Sequence, residues 1–195
     1  MVRLGVLRYN RGSMKHVEFK ADAPRCQAIA PQPTLIVDTR EIKPLQFTHL
    51  GSVRSTLQSG DYSALGLTDV FAVERKTMPD LVQSLRRDRA RFMRELHRLR
   101  GFAFARLLLV GTRQELIEEC ERRQASLLLI ELSLLSIEQR FGVKVARVDT
   151  PAEAALQVEA WAFAAWRDAA AKMSLYLPFP RWISELMNQR RGVVL

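Results

Sequence analysis

The stretch GDYSALGLTDVFAVERKTMPD, residues 60–80, combines a glycine turn, an apolar run and several charged residues. Because side chains alternate between the two faces of a strand, Glu74 and Lys76 share one face of a strand through FAVERK, and Arg75 points to the other. The segments VRSTLQSGDYS and DVFAVERK bracket a turn and predict an antiparallel hairpin, which brings Asp61 close to Glu74. The sequence therefore predicts two carboxylates and a lysine at one point of a sheet.

These three side chains are typical of a metal-dependent hydrolytic site. Two carboxylates suit Mg²⁺ or Mn²⁺, since such cations take oxygen ligands and keep several waters. A lysine beside the metal can orient or help to deprotonate a water and stabilise charge on a phosphate oxygen. Asp38 ends the predicted strand TLIVDTRE and adds a third carboxylate if that strand neighbours the hairpin. These are the groups that hydrolysis of a phosphodiester requires.

Two simpler interpretations of the same residues remain open at this point. Glu74 and Lys76 also fit a solvated ion pair that contributes little to stability. The segment TMPD fits a capping box, with Thr77 as the N-cap of a helix and Asp80 as its third residue. Spacing alone does not decide between a phosphodiesterase site and a charged surface.

The charge balance of the chain indicates a polyanionic partner. Lys and Arg number 30 against 21 Asp and Glu, which gives a formal charge of +9 and favours nucleic acid before an acidic membrane surface. The two cysteines, Cys26 and Cys120, are too few and too distant for a disulfide framework, and this favours a reducing compartment. No apolar run reaches the length of a membrane span and no signal segment is evident, so we expect a cytoplasmic protein.

Strands alternate with helices from residue 34 onward. This order predicts an α/β fold, with a central sheet flanked by helices on both faces. We expect a poorly ordered leader over residues 1–33, a folded domain over residues 34–172 and a C-terminal tail over residues 173–195.

A single helix predicted over residues 81–100 carries four arginines at spacings of four, three and four. These positions fall on one stripe, away from the leucines that would face the core. Arginine binds phosphate bidentately, so the stripe is suited to hold a nucleic-acid backbone; a solvated helix face is the alternative. The stripe consists of Arg87, Arg91, Arg94 and Arg98.

The segment ASLLLIELSLLSI, residues 125–137, predicts a helix that is apolar almost all round. Either this helix is central and covered on both sides, or part of it meets another subunit. Trp161, Phe163 and Trp166 could join such an interface, although core packing is the more frequent fate of such residues.

Three motifs in this order resemble the nuclease domain of the XPF family of structure-specific DNA endonucleases. They are DTRE at residues 38–41, GD at residues 60–61, and ERK at residues 74–76 followed by Asp80, so that the family signature GD…ERKxxxD is met in full. The likeness extends over about residues 33–170 and is similar to the compact versions found in phages and bacteria, which places this chain in a bacterial or phage context.

The resemblance implies a restriction-endonuclease-like (PD-(D/E)xK) core, with residues 34–172 as the nuclease domain. It implies a Mg²⁺ or Mn²⁺ cofactor and cleavage of branched or flapped duplex DNA, in DNA repair or recombination. Because the family pairs through this domain, it also implies a homodimer or a pairing subunit.

Carried over by position, the resemblance also implies residue roles. The expected catalytic residues are Asp38, Asp61, Glu74, Arg75, Lys76 and Asp80; the metal ligands among them are Asp38, Asp61 and Glu74, and Arg40 and Glu41 support the site. Because strand alternation directs Arg75 away from Glu74, we expect Arg75 to act behind the metal ligands or on the DNA backbone.

Two other functions remain open. One is a catalytically inactive DNA-binding or scaffold protein on a nuclease fold, although an intact motif argues against it. The other is a nuclease for different substrates, such as Holliday junctions, single strands or RNA.

Overall fold

A computed structural model describes residues 32–174 of the chain. The predicted leader and tail, residues 1–33 and 173–195, therefore lie almost entirely outside the described residues. In chain order the described elements are β1 Leu35–Asp38, β2 Ser52–Ser55, β3 Tyr62–Ala64, β4 Phe71–Thr77, α1 Met78–Arg86, α2 Arg89–Leu99, β5 Phe104–Val110, α3 Arg113–Arg122, α4 Leu127–Phe141, β6 Lys144–Val148 and α5 Pro151–Ser174. No helix within residues 32–174 is long and apolar enough to cross a membrane.

The strands form one mixed sheet in the order β2-β1-β3-β4-β5-β6. The pairs β1–β3 and β3–β4 are antiparallel, and the other neighbouring strands are parallel. On β5, Leu107 and Leu109 pack with α1 to α4 on one face, while Leu108 and Val110 pack with α5 on the other. The predicted α/β fold with helices on both faces is confirmed.

The predicted hairpin is only partly correct. Of the residues assigned to its first strand, those in β3 pair antiparallel with β4, as Tyr62 does with Val73. The segment Ser52–Ser55 is instead a separate strand, β2, that pairs in parallel with β1 at the edge of the sheet. All four β2 residues are exposed, so β2 has no apolar alternation from which its partner could be predicted.

The helix predicted over residues 81–100 is two helices. The backbone N–H groups of Arg87 and Asp88 both donate to the carbonyl of Gln83 and end α1, and the N–H of Phe92 donating to the carbonyl of Asp88 starts α2. Aspartate favours helix ends over helix interiors because its short side chain competes for backbone groups. The break separates Arg87 from the other three arginines of the stripe, which lie on α2, so the predicted stripe is interrupted.

Local capping follows the sequence pattern more closely. The hydroxyl of Thr77 accepts from the N–H of Asp80 at the start of α1, which confirms the cap predicted from TMPD. Helix α4 begins at its N-cap Ser126 and ends at Gly142, whose φ of +68° is the left-handed conformation that glycine tolerates.

Helix α4 is not central. Ile130, Leu134 and Ile137 are buried against the layer of helices on that face of the sheet, whereas a second set of leucines on the same helix is exposed. The exposed set is Leu128, Leu129, Leu132 and Leu135. Trp161 and Trp166, by contrast, pack against the core under α5.

The turn before Asp61 depends on glycine. Gly60 has φ +80°, and a Cβ there would lie 2.9 Å from the carbonyl oxygen of Val73. We expect Gly60→Ala to reduce the free energy of unfolding by about 3 kcal/mol or more, because it adds a backbone clash to the cost of a left-handed alanine. Urea unfolding measures this change.

Gly66 provides the matched control for that substitution. Its φ of +79° is almost the same, but nothing lies within 4 Å of a Cβ built there. Gly66→Ala should therefore cost only about 1 kcal/mol, the penalty of the backbone conformation alone. Equal losses in the two variants would show that the contact with Val73 is unimportant.

Candidate active site

A cleft of about 620 Å³ opens where β4 ends and α1 begins. Crevices at strand ends are the usual sites of chemistry in open α/β sheets. Most of the side chains predicted to be functional line this cleft, namely Asp38, Arg40, Glu41, Asp61, Glu74, Arg75, Lys76, Asp80, Arg91 and Arg98. Arg94 is an exposed residue of α2 outside this lining, and Arg87 lies beyond the helix break.

Asp61 is fixed between β1 and β4 by main-chain hydrogen bonds. Its N–H donates to the carbonyl of Val73 at 2.8 Å, and its carbonyl accepts from the N–H of Asp38 at 2.8 Å. Its carboxylate oxygen Oδ2 accepts from the N–H of Arg75 at 2.7 Å. The side chain is therefore held directly beside the strand that carries Glu74, as the sequence predicts.

Burial makes the Asp61–Glu74 pair electrostatically costly. Burial, with the nearby Glu74 carboxylate adding to it, raises the pKa of Asp61 to about 8. Burial also raises the pKa of Glu74, although Lys76 opposes that rise. Two carboxylates cannot both ionise here without additional positive charge, so the pair fits a cation.

Lys76 lies on the same face of β4 as Glu74. Its Nζ is 2.9 Å from Oε1 of Glu74 and 4.8 Å from the centre of the Phe92 ring. Burial opposes a charge on Lys76, but the Glu74 carboxylate outweighs it and the pKa of Lys76 is raised. Lys76 is therefore an ammonium that donates hydrogen bonds, which suits it to stabilise negative charge on a phosphate rather than to remove a proton.

Arg75 points to the opposite face, as the strand alternation predicts. Its Nη2 lies 3.1 Å from Oε1 of Glu41, and both side chains are largely buried. The main-chain N–H of Arg75 holds Asp61 at the same time. Arg75 thus supports the site through two acidic residues, Glu41 by its side chain and Asp61 by its backbone.

Asp38 is held in place by hydrogen bonds from two other residues of the protein. Its two carboxylate oxygens accept four hydrogen bonds, from N, Nε and Nη2 of Arg40 and from N of Leu57, at 2.6–3.1 Å. These bonds, chiefly those from the Arg40 side chain, lower the pKa of Asp38 to about 2. Since a carboxylate has about four acceptor sites, these bonds engage both oxygens of Asp38, and its role as a metal ligand stays a prediction.

The last acidic residue of the predicted set, Asp80, lies at the start of a helix. Within residues 32–174, no group of three or more His, Cys, Asp or Glu side chains is arranged to hold a metal ion. Asp80 is exposed at the first turn of α1, where its Oδ2 accepts from the Thr77 hydroxyl at 2.6 Å. The capping interpretation of Asp80 is therefore the one that the hydrogen bonds support.

Glu95 is a site residue that the sequence analysis missed. It projects from α2 into the cleft, with Oε2 3.7 Å from Nζ of Lys76 and Oε1 3.8 Å from Nε of Arg91. Oε2 is buried and has no hydrogen-bond partner. The available signal was its position on the arginine stripe, four residues after Arg91 and three before Arg98.

The cleft also has a basic wall. Arg91 and Arg98 lie on the exposed side of α2 and line the cleft, and Nε of Arg98 donates to the Ser59 hydroxyl at 3.2 Å. Arg91 makes only long ion pairs, at 3.8 Å to Glu95 and 3.9 Å to Asp88. Weak surface pairs of this kind leave a guanidinium ready to bind phosphate.

Comparisons with known proteins agree with this arrangement. The solved structure of XPF from Aeropyrum pernix superimposes with a TM-score of 0.54 at 22% identity, covering 74% of this chain and 71% of that one. XPF from the same organism in complex with DNA gives a TM-score of 0.52 at 21% identity, covering 70% and 66%. These matches show that the fold is the restriction-endonuclease-like fold of the XPF nuclease domain.

No curated protein matches the sequence of this chain. The model of the ERCC4 domain family, however, matches residues 37–160, which is more than half of the chain. The matched region includes every residue of the cleft described above. The chain therefore belongs to the ERCC4 domain family.

Proposed function

We propose that this protein is a metal-dependent endonuclease that hydrolyses phosphodiester bonds in branched or flapped duplex DNA. Membership of the ERCC4 domain family supports a DNA endonuclease. The observation that carries the proposal is the buried Asp61–Glu74 pair, with the Lys76 ammonium beside it in a cleft walled by arginines. A scaffold protein would have no use for so costly a pair of buried acids.

The donor set fits a divalent cation with oxygen ligands. Asp61 and Glu74 would hold it, and the raised pKa of each indicates a place where positive charge is missing. With two protein carboxylates, the remaining positions would belong to water and phosphate oxygens, as is usual for Mg²⁺ and acceptable for Mn²⁺. When bound, such an ion activates water and neutralises charge that develops on the phosphate.

Side chains of the protein have the other roles in the proposed reaction. Lys76 donates toward the phosphate, and Glu74 and Glu95 keep its ammonium charged and in place. Arg91 and Arg98 hold the sugar-phosphate backbone on the outer wall. Arg75 and Glu41 keep the strand beneath Asp61 rigid, so that the carboxylate does not move as the substrate binds.

Branched DNA is the substrate class that the family resemblance favours. One of the similar solved structures is XPF in complex with DNA. The cleft is open on the side of α2, and its exposed arginines can contact a duplex arm without reading its bases. Recognition through the backbone suits an enzyme that selects a DNA shape over a sequence.

We also propose that the protein pairs with a second copy of itself through α4. Leu128, Leu132 and Leu135 are separated by four and three residues, so they form one stripe, and each is about half exposed or more. Such a stripe is self-complementary when two copies meet about a twofold axis, because each helix then covers the other. This surface is distinct from the cleft, which leaves the DNA site open in a dimer.

The first prediction of this proposal concerns metal binding and pH. An acid whose pKa is higher in the folded state than in the unfolded state lowers the free energy of unfolding as the pH rises between those two pKa values. For Asp61 the two pKa values are 3.8 and about 8. In EDTA, Asp61→Asn should therefore be increasingly more stable than wild type between pH 4 and 8. Urea unfolding at several pH values measures the difference in free energy of unfolding between the variant and wild type, which should be constant above pH 8.

Divalent cations should reverse this difference. Mg²⁺ or Mn²⁺ at pH 8 should raise the thermal midpoint of wild type by several degrees and leave that of Asp61→Asn nearly unchanged, because a bound ligand stabilises the state that binds it. Asp80→Asn serves as the matched control and should respond as wild type does. An equal response of wild type and Asp61→Asn would exclude Asp61 as a ligand.

The second prediction concerns cleavage. Labelled duplex, 3′ flap, fork, four-way junction and single-stranded DNA should be incubated with Mg²⁺, Mn²⁺ or EDTA. We expect metal-dependent cutting near a branch, reduced about 100-fold or more in Asp61→Ala, which removes a proposed metal ligand, and in Lys76→Met, which removes the ammonium that would donate to the phosphate. Cleavage of unbranched substrates alone would refute the proposed specificity, and DNA binding without any cleavage would support the scaffold interpretation.

The third prediction concerns pairing. Leu132→Glu should shift the protein toward the monomer in sedimentation velocity, since it places a charge in the middle of the proposed apolar interface. Leu65→Glu is the matched control, because Leu65 is 63% exposed but lies after β3, away from α4. A wild-type protein that is monomeric at every concentration would contradict pairing through α4.

A further inference from the structure

A second concave site lies beyond the cleft, at the ends of two helices. It encloses about 260 Å³ and is formed by the last turn of α1 and the residues that end α3. We call it the arginine pocket; its charged lining is Arg86, Arg87, Arg122 and Arg123. No part of the proposed mechanism uses this set of side chains.

The guanidinium groups of the arginine pocket are held by a built framework. Glu119 is only 5% exposed, and its two carboxylate oxygens accept from Arg122 and Arg123. Nη1 of Arg86 donates to the carbonyl of Arg123, which ties α1 to the end of α3. These contacts orient the arginines without using all of their donors, since each guanidinium has five N–H groups.

The backbone also shapes this pocket. Gln124 has φ +50°, the left-handed conformation, and the N–H of Ala125 then donates to the carbonyl of Cys120 at 2.8 Å. This sharp end to α3 places Arg122 and Arg123 next to α1. A less abrupt ending would carry the chain past α1 and leave the pocket without one wall.

The charge in the pocket exceeds what the fold requires. Four arginines against one glutamate leave +3 among the named groups. The C-terminal ends of α1 and α3 each carry roughly half a negative charge, which accounts for about one of these three. Two positive charges remain, enough for one or two phosphodiester groups.

The pocket adjoins the cleft. Gln83 lines both, and its Nε2 donates to Oδ2 of Asp88 at 3.0 Å on the cleft side. The hydrogen bond between Gln83 and Asp88 therefore lies at the boundary between the two sites, with Nη2 of Arg91 3.9 Å from Oδ2 of Asp88 on the cleft side. A strand that leaves the arginine wall of the cleft therefore meets the arginine pocket after crossing α1.

We infer that the arginine pocket binds backbone phosphate of the DNA strand that continues beyond the cleft. This inference rests on the proposed function, because it extends the same DNA across α1. Arg86, Arg87 and Arg122 are exposed and Arg123 is partly buried; Arg87 and Arg122 supply donors toward solvent, while Arg86 and Arg123 are held by their contacts with the protein. Guanidinium groups match phosphate oxygens bidentately, so the pocket positions an arm without reading bases.

The test is DNA binding in EDTA, where no cleavage occurs, measured by fluorescence anisotropy at several salt concentrations. The Arg87→Ala/Arg122→Ala variant should bind about tenfold or more weakly, and its slope of log K against log salt should be smaller by about 0.9 for each phosphate that is no longer neutralised. Arg122 is 64% exposed and Arg123 still pairs with Glu119 in its absence, so the variant should fold normally. Arg167→Ala, an exposed arginine on α5 across the sheet, is the matched control and should bind as wild type does.

A phosphate-by-phosphate test locates the contact. Uncharged methylphosphonate groups are placed one at a time along each strand of a forked duplex. At one or two adjacent positions the substitution should weaken binding by wild type but not by the double variant, because the phosphate and the arginines would act as one pair. Arg87→Lys should keep part of the effect, since it retains the charge but not the bidentate geometry.

The results of these tests distinguish a failure of this inference from a failure of the proposed function. If wild type binds and cuts forked DNA but the double variant has the same salt slope and the same methylphosphonate profile, the arginine pocket does not bind DNA and the cleft proposal survives. If wild type neither binds nor cuts any DNA, the proposed function is wrong and this inference is wrong with it.

Discussion

The burial of Asp61 beside Glu74 is the constraint on which the rest of the site depends. Removing a carboxylate from water costs several kcal/mol unless partners compensate, and two adjacent ones also repel each other. The main chain fixes Asp61 in this position, through Val73 and the N–H of Arg75. Asp61 therefore cannot move away to relieve the repulsion, and the compensation has to come from charges around the two acids.

Strand β4 distributes that compensation over both faces of the sheet. Lys76 shares the face of Glu74 and packs over Phe92, so its ammonium meets the acids directly. Arg75 uses the other face, where its ion pair with Glu41 supports the strand without competing for the same oxygens. The consecutive residues Glu74, Arg75 and Lys76 thus act on both faces of the sheet, because successive side chains of a strand point to opposite faces. Lys76 lowers the pKa of Asp61 and of Glu74 without returning either to its usual value, and this deficit of positive charge is the physical basis for the proposed cation.

The sequence predicted those parts of the structure whose signals are local. Strand β4, the placement of Arg75 opposite Glu74, and the cap at Thr77 all follow from residue period or capping chemistry within a few positions. Strand β2 could not be assigned to its neighbour because its exposed residues have no apolar face. Of the four hydrogen bonds that Asp38 accepts, three come from Arg40, two residues away, and only the bond from Leu57 depends on a distant segment that the sequence pattern does not identify. Motif spacing shows which side chains approach a site, but only their hydrogen bonds show which of them retain free lone pairs.

The break between α1 and α2 connects the two basic surfaces. In one continuous helix, Arg87 would lie on the same stripe as Arg91 and Arg98, on the side of the cleft. Ending α1 at Arg86 instead leaves Arg87 on the side of α3, where Arg122 and Arg123 already lie. Asp88, at the break, contacts Gln83 and Arg91 and so maintains the change of direction. A protein that bound only the phosphate being cut would need only one of these two basic surfaces. Two basic surfaces, separated by the width of a helix, suit a partner with a continuous charged backbone.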